Sequence, residues 1–154
     1  MRIRNGIFSF SVNIVCIALL VGNIIYLVAV WSSLPDQIPG HYDFAGNVTR
    51  YDGRGTLLVV PIINWILFLG ISLVELFPNI WNTGVKVTAE NRARVYRILR
   101  NMIVTLKFSV VVSFLFLSVN QTLGGSLPGW YTPALWSLMF VPMIFFIVKL
   151  FRAR

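Results

Sequence analysis

Residues 7–31 read IFSFSVNIVCIALLVGNIIYLVAVW, a run with no charged side chain, interrupted only by the polar amides Asn13 and Asn23. A bilayer core about 30 Å thick takes roughly 20 apolar residues as helix. The run also exceeds the 7–15 apolar residues typical of a secretory signal. The residues that close it, Val30-Trp31-Ser32-Ser33, make a poor small-residue cleavage site. It therefore reads as a retained membrane-spanning helix.

The whole chain extends that reading. Of its 154 residues 57% are hydrophobic and 12% charged, against about 25% charged in soluble domains, and the mean hydropathy is +0.79. Three further apolar runs follow: 57–77, with Pro61 in its first turns; 102–123, with Lys107 near its start; and 130–150, with Pro133 early and Pro142 in its middle, where a kink is expected. The expectation is an all-α membrane protein, one domain over 1–154 with four spanning helices, because lipid cannot satisfy open backbone groups. Cys16 has no partner cysteine, so no disulfide framework is present.

Charge orients the bundle. With both termini cytoplasmic, Arg2, Arg4, Lys86, Arg92, Arg94, Arg97, Arg100, Lys107, Lys149, Arg152 and Arg154 lie inside; Arg50 and Arg54 alone lie outside. The positive-inside rule selects this topology. It places the connection 32–56 on the outer face and the connection 78–101 in the cytoplasm. The net charge of +8 then reflects topology and anionic lipid, and no nucleic-acid partner is called for. From Val85 to Val119 there is no glycine or proline. The stem is expected to be an amphipathic helix leading into the third span, with Thr88 as N-cap and Glu90 in its first turn. Val95, Ile98, Leu99, Met102 and Ile103 would share one face, with Arg94, Arg97 and Arg100 opposite for lipid phosphates or a partner.

Polar residues inside the spans, Asn13, Asn23, Asn64, Ser109 and Ser113, are read first as interhelical hydrogen-bonding groups. Glu75 is the one acid in a span. An intramembrane acid is a functional candidate by default. Its position near the end of its helix favours a structural pairing with Lys107 or a stem arginine. Trp31, Trp65, Trp130 and Tyr131 suit an outer aromatic belt, and Trp81 an inner one.

The connection 34–56, LPDQIPGHYDFAGNVTRYDGRGT, holds the single histidine, His41, and three of the five acids, Asp36, Asp43 and Asp52. A polar stretch this long with no evident secondary structure is functional or disordered. Pro35 and Pro39 bias the residues before them toward extended backbone. Leu34, Ile38, Tyr42 and Phe44 supply apolar surface for the loop to pack on itself or on the bundle mouth, so order is expected. His41 and Asp43, with Asp36 or Asp52, form at most a weak metal pattern, lacking zinc-type spacing. The favoured reading has His41 and the aspartates holding the shape of the loop. No nucleophile elbow, HExxH or phosphate-binding glycine loop is present, so neither enzyme chemistry nor a cofactor is expected.

The run from Leu34 to Gly46 resembles the signature of a bacterial membrane family known as domain of unknown function 1648, approximately L-P-x-x-I-P-x-H-F-(N/D)-x-x-G with a D-x-x-G-x-K tail. Pro35, Pro39, His41 and Gly46 keep its offsets. Asn91, Tyr96 and Arg100 resemble its stem. Tyr42, Thr49 and Arg54 depart from the usual phenylalanine, aspartate and lysine, and Asp52 stands near the missing acid. The same module opens the SdpI-type immunity proteins, which protect Bacillus-like cells from a secreted toxic peptide. The resemblance implies a bacterial plasma-membrane protein and no known enzyme activity. The leading expectation is a non-enzymatic protein that senses, confers immunity or binds a partner through Pro35, Asp36, Pro39, His41, Asp43, Gly46 and Asp52, the ligand being a peptide or another membrane subunit. The alternative is a small transporter or accessory subunit, acting as a homo-oligomer, that uses Asn23, Asn64 and Glu75.

Overall fold

The computed structural model describes residues 6–153; Arg2, Arg4 and Arg154, used above to orient the chain, lie outside them. Four helices carry the fold: α1 (Ile7–Val30), α2 (Val59–Leu76), α3 (Arg92–Leu123) and α4 (Tyr131–Phe151). Each is long and apolar enough to cross a membrane. Burial runs opposite to that of a soluble protein. Ile25, Val28, Ile66, Val141 and Ile144 are exposed, while Ser9, Asn23, Asn64, Glu75, Lys107, Ser118 and Gln121 are buried. Lipid is as apolar as leucine, so the polar groups gather between the helices.

The hub is α3, which packs against α1, α2 and α4, while α1 and α2 touch each other less. At about 1.5 Å per residue its 32 residues span roughly 48 Å, well beyond a bilayer core of about 30 Å. The excess is the stem, Arg92 to Arg100. α4 is continuous through Pro142 and buries only Tyr131 and Leu150, one at each end.

Two expectations are corrected. The regular helix of the stem begins at Arg92 with Asn91 as N-cap, three residues beyond the Thr88 expected for it. The backbone N–H of Thr88 donates to Asn91 Oδ1 at 2.8 Å, that of Asn91 to Thr88 Oγ1 at 3.3 Å, and Asn91 Nδ2 to the Lys86 carbonyl at 3.0 Å. These bonds hold the residues just before the helix in a turn. Val85 and Val87 pack instead on a stem-end core of Trp81, Val95, Leu99, Leu150 and Ala153.

The connection between α1 and α2 is not irregular, and the chain is not all-α. It forms an antiparallel hairpin, β1 (Gln37–Tyr42) with β2 (Val48–Gly53), irregular in register around Gly40. The tip is closed by the Gly46 N–H donating to the Asp43 carbonyl at 3.0 Å and the Asp43 N–H to the Asn47 carbonyl at 2.9 Å. Ile38 and Leu57 are fully buried with Leu27 and Leu34, which plugs the hairpin into the ends of α1 and α2. Phe44, expected to pack on the loop itself or on the bundle mouth, is 77% exposed at the tip.

Gly46 has φ +89°, and a Cβ there would stand 2.9 Å from the Leu127 carbonyl. Gly46→Ala is expected to cost about 1 kcal/mol or more and to loosen the tip from the α3–α4 connection. A lower melting temperature and faster proteolysis between β1 and β2, in detergent, would check this.

Candidate functional site

The hairpin lies over the last turns of α3 and the first turn of α4, and polar contacts fix it there. Gln121 Nε2 donates to the Pro39 carbonyl at 3.1 Å, and Asn120 Nδ2 to Tyr42 Oη at 3.4 Å. Thr132 Oγ1 donates to the Phe44 carbonyl at 3.2 Å, and the Leu127 N–H to the Gly46 carbonyl at 2.8 Å. Pro39 fits this place because it offers a carbonyl and has no N–H to satisfy. A Cβ at Gly40 would run into the Asp52 side chain, which would have to move.

Between hairpin and helices is a cleft of about 390 Å³. Its roof is Gly40, His41, Tyr42, Asp43 and Phe44, and its walls include Phe114, Leu117, Leu135 and Trp136. Gln121, only 3% exposed, lines it, and its Oε1 has no hydrogen-bond partner among the described residues. An orphan buried acceptor is uncommon and calls for an explanation. The site thus offers apolar walls, one unused acceptor and the His41 ring.

The structure separates the loop residues by task. His41 does not hold the loop's shape through its ring: the exposed imidazole makes no hydrogen bond among the described residues, and only its carbonyl accepts one, from Thr49 Oγ1 at 3.4 Å. Asp43 does hold shape. Its Oδ1 accepts from the Asn47 N–H at 2.8 Å and its Oδ2 from Asn47 Nδ2 at 3.0 Å. These bonds, led by the Asn47 side chain, hold its carboxyl below the usual carboxylate range. Asp52 is occupied by Arg50, 2.9 Å away. Burial pushes the Tyr42 phenol up, with the Asn120 contact opposing. Pro35 and Asp36 are exposed outside the cleft lining. Among the described residues no three His, Cys, Asp or Glu side chains converge.

The intramembrane polar residues lie elsewhere, at three levels of the bundle. Near the stem end Glu75, 6% exposed, meets Lys107, 0% exposed. Lys107 Nζ donates to Glu75 Oε2 at 2.7 Å and to Ser72 Oγ at 3.1 Å; Ser9 Oγ donates to Glu75 Oε1 at 2.6 Å and Asn13 Nδ2 to Oε2 at 3.3 Å. Arg100 Nε is 3.7 Å from Glu75 Oε1. Arg100 therefore does not share the outer face expected for it; it is buried, while Arg94 and Arg97 are exposed. Farther along, Asn64 Nδ2 donates to the Val111 carbonyl at 3.1 Å, and Asn23 pairs with Ser118 at 3.2 Å. Trp81 is no membrane anchor: it is buried and its Nε1 donates to the Val74 carbonyl at 2.7 Å, closing the end of α2.

Gln121, Asn120, Ser9 and Ser118 escaped the sequence reading. The signal was present: positions 9, 13, 16, 20, 23 and 27 of α1 follow a 3.5-residue spacing, and five of them are buried. The adjacent amides Asn120 and Gln121 at the end of an apolar span pointed to a polar contact there.

A family model described as "Domain of unknown function (DUF1648)" matches residues 18–64, from mid-α1 through the hairpin into the first turns of α2. The resemblance read from the loop is thus borne out. The chain is also similar to a protein of Archaeoglobus fulgidus named "Uncharacterized protein", 27% identical over 157 residues, covering 90% of this chain and 83% of that one. No solved structure matches.

Removing one partner of a buried ion pair strands the other charge. Glu75→Ala should lower stability by about 3–5 kcal/mol, whereas Glu75→Leu with Lys107→Met should recover most of the loss. Unfolding in mixed micelles would read both. The contribution of Asp43 is full above the ordinary carboxylate pKa and is lost as pH falls through its depressed value. In an NMR titration the Asn47 amide should show an inflection below the range of a free aspartate, absent in Asp43→Asn.

Proposed function

We propose that this multi-pass membrane protein is a non-enzymatic receptor-like protein of the plasma membrane that binds an amphipathic peptide or envelope component in the hairpin-roofed cleft. The carrying observation is the cleft itself. Its apolar walls, the unpartnered Oε1 of Gln121 and the uncommitted imidazole of His41 suit a ligand with an apolar body and a hydrogen-bond donor. The residues that supply its roof fall within the matched segment. A role in sensing or immunity is the use of such binding that accords with the resemblance of the loop to SdpI-type proteins.

The orientation that goes with this reading is hairpin outside, stem and both termini in the cytoplasm. It rests on the basic residues: among the described ones Arg50 and Arg54 are at the hairpin end and the other eight, from Lys86 to Arg152, toward the stem end. A transporter reading has less support. Glu75 already accepts three hydrogen bonds, and Asn23 and Asn64 are engaged at separate levels, so they line no common path.

Cells lacking the gene, challenged with a panel of envelope-active amphipathic peptides, should be more sensitive to at least one. Wild-type protein should restore tolerance, whereas His41→Ala and Gln121→Leu, expressed at equal level in the membrane, should not. Unchanged sensitivity across the panel, with no peptide or partner captured by the purified protein, would remove the proposal. For topology, a cysteine at Thr49 should react with an impermeant maleimide in intact cells and one at Arg94 only after permeabilisation; the reverse would invert the orientation.

A further inference from the structure

A second recess lies on the other side of the hairpin end, between α1 and α2. We propose that it holds one acyl chain of an anionic phospholipid, with the phosphodiester against Arg54. The recess is about 560 Å³, almost wholly apolar, and shares no lining residue with the ligand cleft. Ile24, Val28 and Trp31 form one side, and Leu58, Ile62 and Trp65 the other. It exists because α1 and α2 each lean on α3 more than on one another. A void of this size facing lipid is filled by a hydrocarbon tail, since an empty apolar gap forfeits dispersion contacts.

Headgroup choice comes from the rim. Arg54 stands on the 3₁₀ turn (Arg54–Leu58) that leads into α2. Its guanidinium carbon is 5.4 Å from the centre of the Trp31 ring, and Nη1 donates to the Trp31 carbonyl at 3.4 Å. The indole and the cation are thereby stacked at the mouth of the groove. Among the described residues Arg54 pairs with no carboxylate, because Asp52 is taken by Arg50. A guanidinium has five donors, and the remaining ones match a phosphodiester, which accepts them two at a time. Tail groove and cation, side by side at the hairpin end, have the two chemistries of an anionic lipid.

Native mass spectrometry of the full chain from detergent, with equimolar phosphatidylglycerol and phosphatidylcholine of matched tails, tests this. The first bound lipid should favour phosphatidylglycerol about five-fold, the effect of one well-placed cation at a membrane surface. Arg54→Gln should abolish the preference and Arg54→Lys keep part of it, while Arg50→Gln leaves it unchanged. Ile62→Trp, which fills the groove, should reduce the first adduct of either lipid. A preference that survives Arg54→Gln overturns the proposal, and that arm does not depend on the folding of the groove-filling variant. So does efficient disulfide dimerisation of Ile62→Cys in a Cys16→Ser background, which would seat a second copy in the groove.

Discussion

Lys107 carries a cationic side chain with no exposed surface, and the rest of the bundle is arranged around that fact. A charge in a low-dielectric interior persists only with a counter-charge and further hydrogen bonds. Glu75 supplies the counter-charge from α2, Ser72 a hydroxyl, and Ser9 and Asn13 bind the same carboxylate from α1. One site therefore sets the relative height of three helices. Farther along α3, Asn64 to Val111, Asn23 to Ser118 and Tyr26 to Thr122 repeat the principle with neutral groups, each worth about 0.6 kcal/mol. With α3 fixed in this way, its last turns present Asn120 and Gln121 at the height where the hairpin arrives.

What the sequence disclosed divides along physical lines. The spans were legible because hydrocarbon imposes one requirement, a long apolar run, and four runs meet it. The hairpin was not, because its strands contain Gln37, Pro39, Gly40, His41 and Asp52 in place of a β-branched alternation. Those strands are held by contacts from distant residues, such as Gln121 on Pro39 and Leu127 on Gly46, that no local pattern encodes. The start of α3 lies three residues beyond the expected N-cap Thr88, because Thr88 and Asn91 satisfy each other's backbone and hold the residues between them in a turn before the regular helix begins. At the candidate site the loop motif was visible and its division of labour was not. Asp43 braces the tip, whereas His41 lines the cleft with a ring that makes no hydrogen bond among the described residues.

Most polar groups of the spans bridge helices, although Asn13 Oδ1 and Asn64 Oδ1 have no hydrogen-bond partner among the described residues. Those at the hairpin end are partly unspent: the Gln121 acceptor and the His41 imidazole stand in a recess with apolar walls. Such an arrangement is suited to recognition, because an incoming group recovers a hydrogen bond that the protein alone forgoes.

The tie between α1, α2 and α3 has a consequence in time as well as in space. Glu75 precedes Lys107 by 32 positions in the chain, so the acid is synthesised before its counter-ion. Until α3 follows, Ser9 and Asn13 are the only partners that α1 can offer the carboxylate. The counter-charge of Glu75 is therefore present only once α3 lies beside α2. α4 adds few buried groups of its own to this framework.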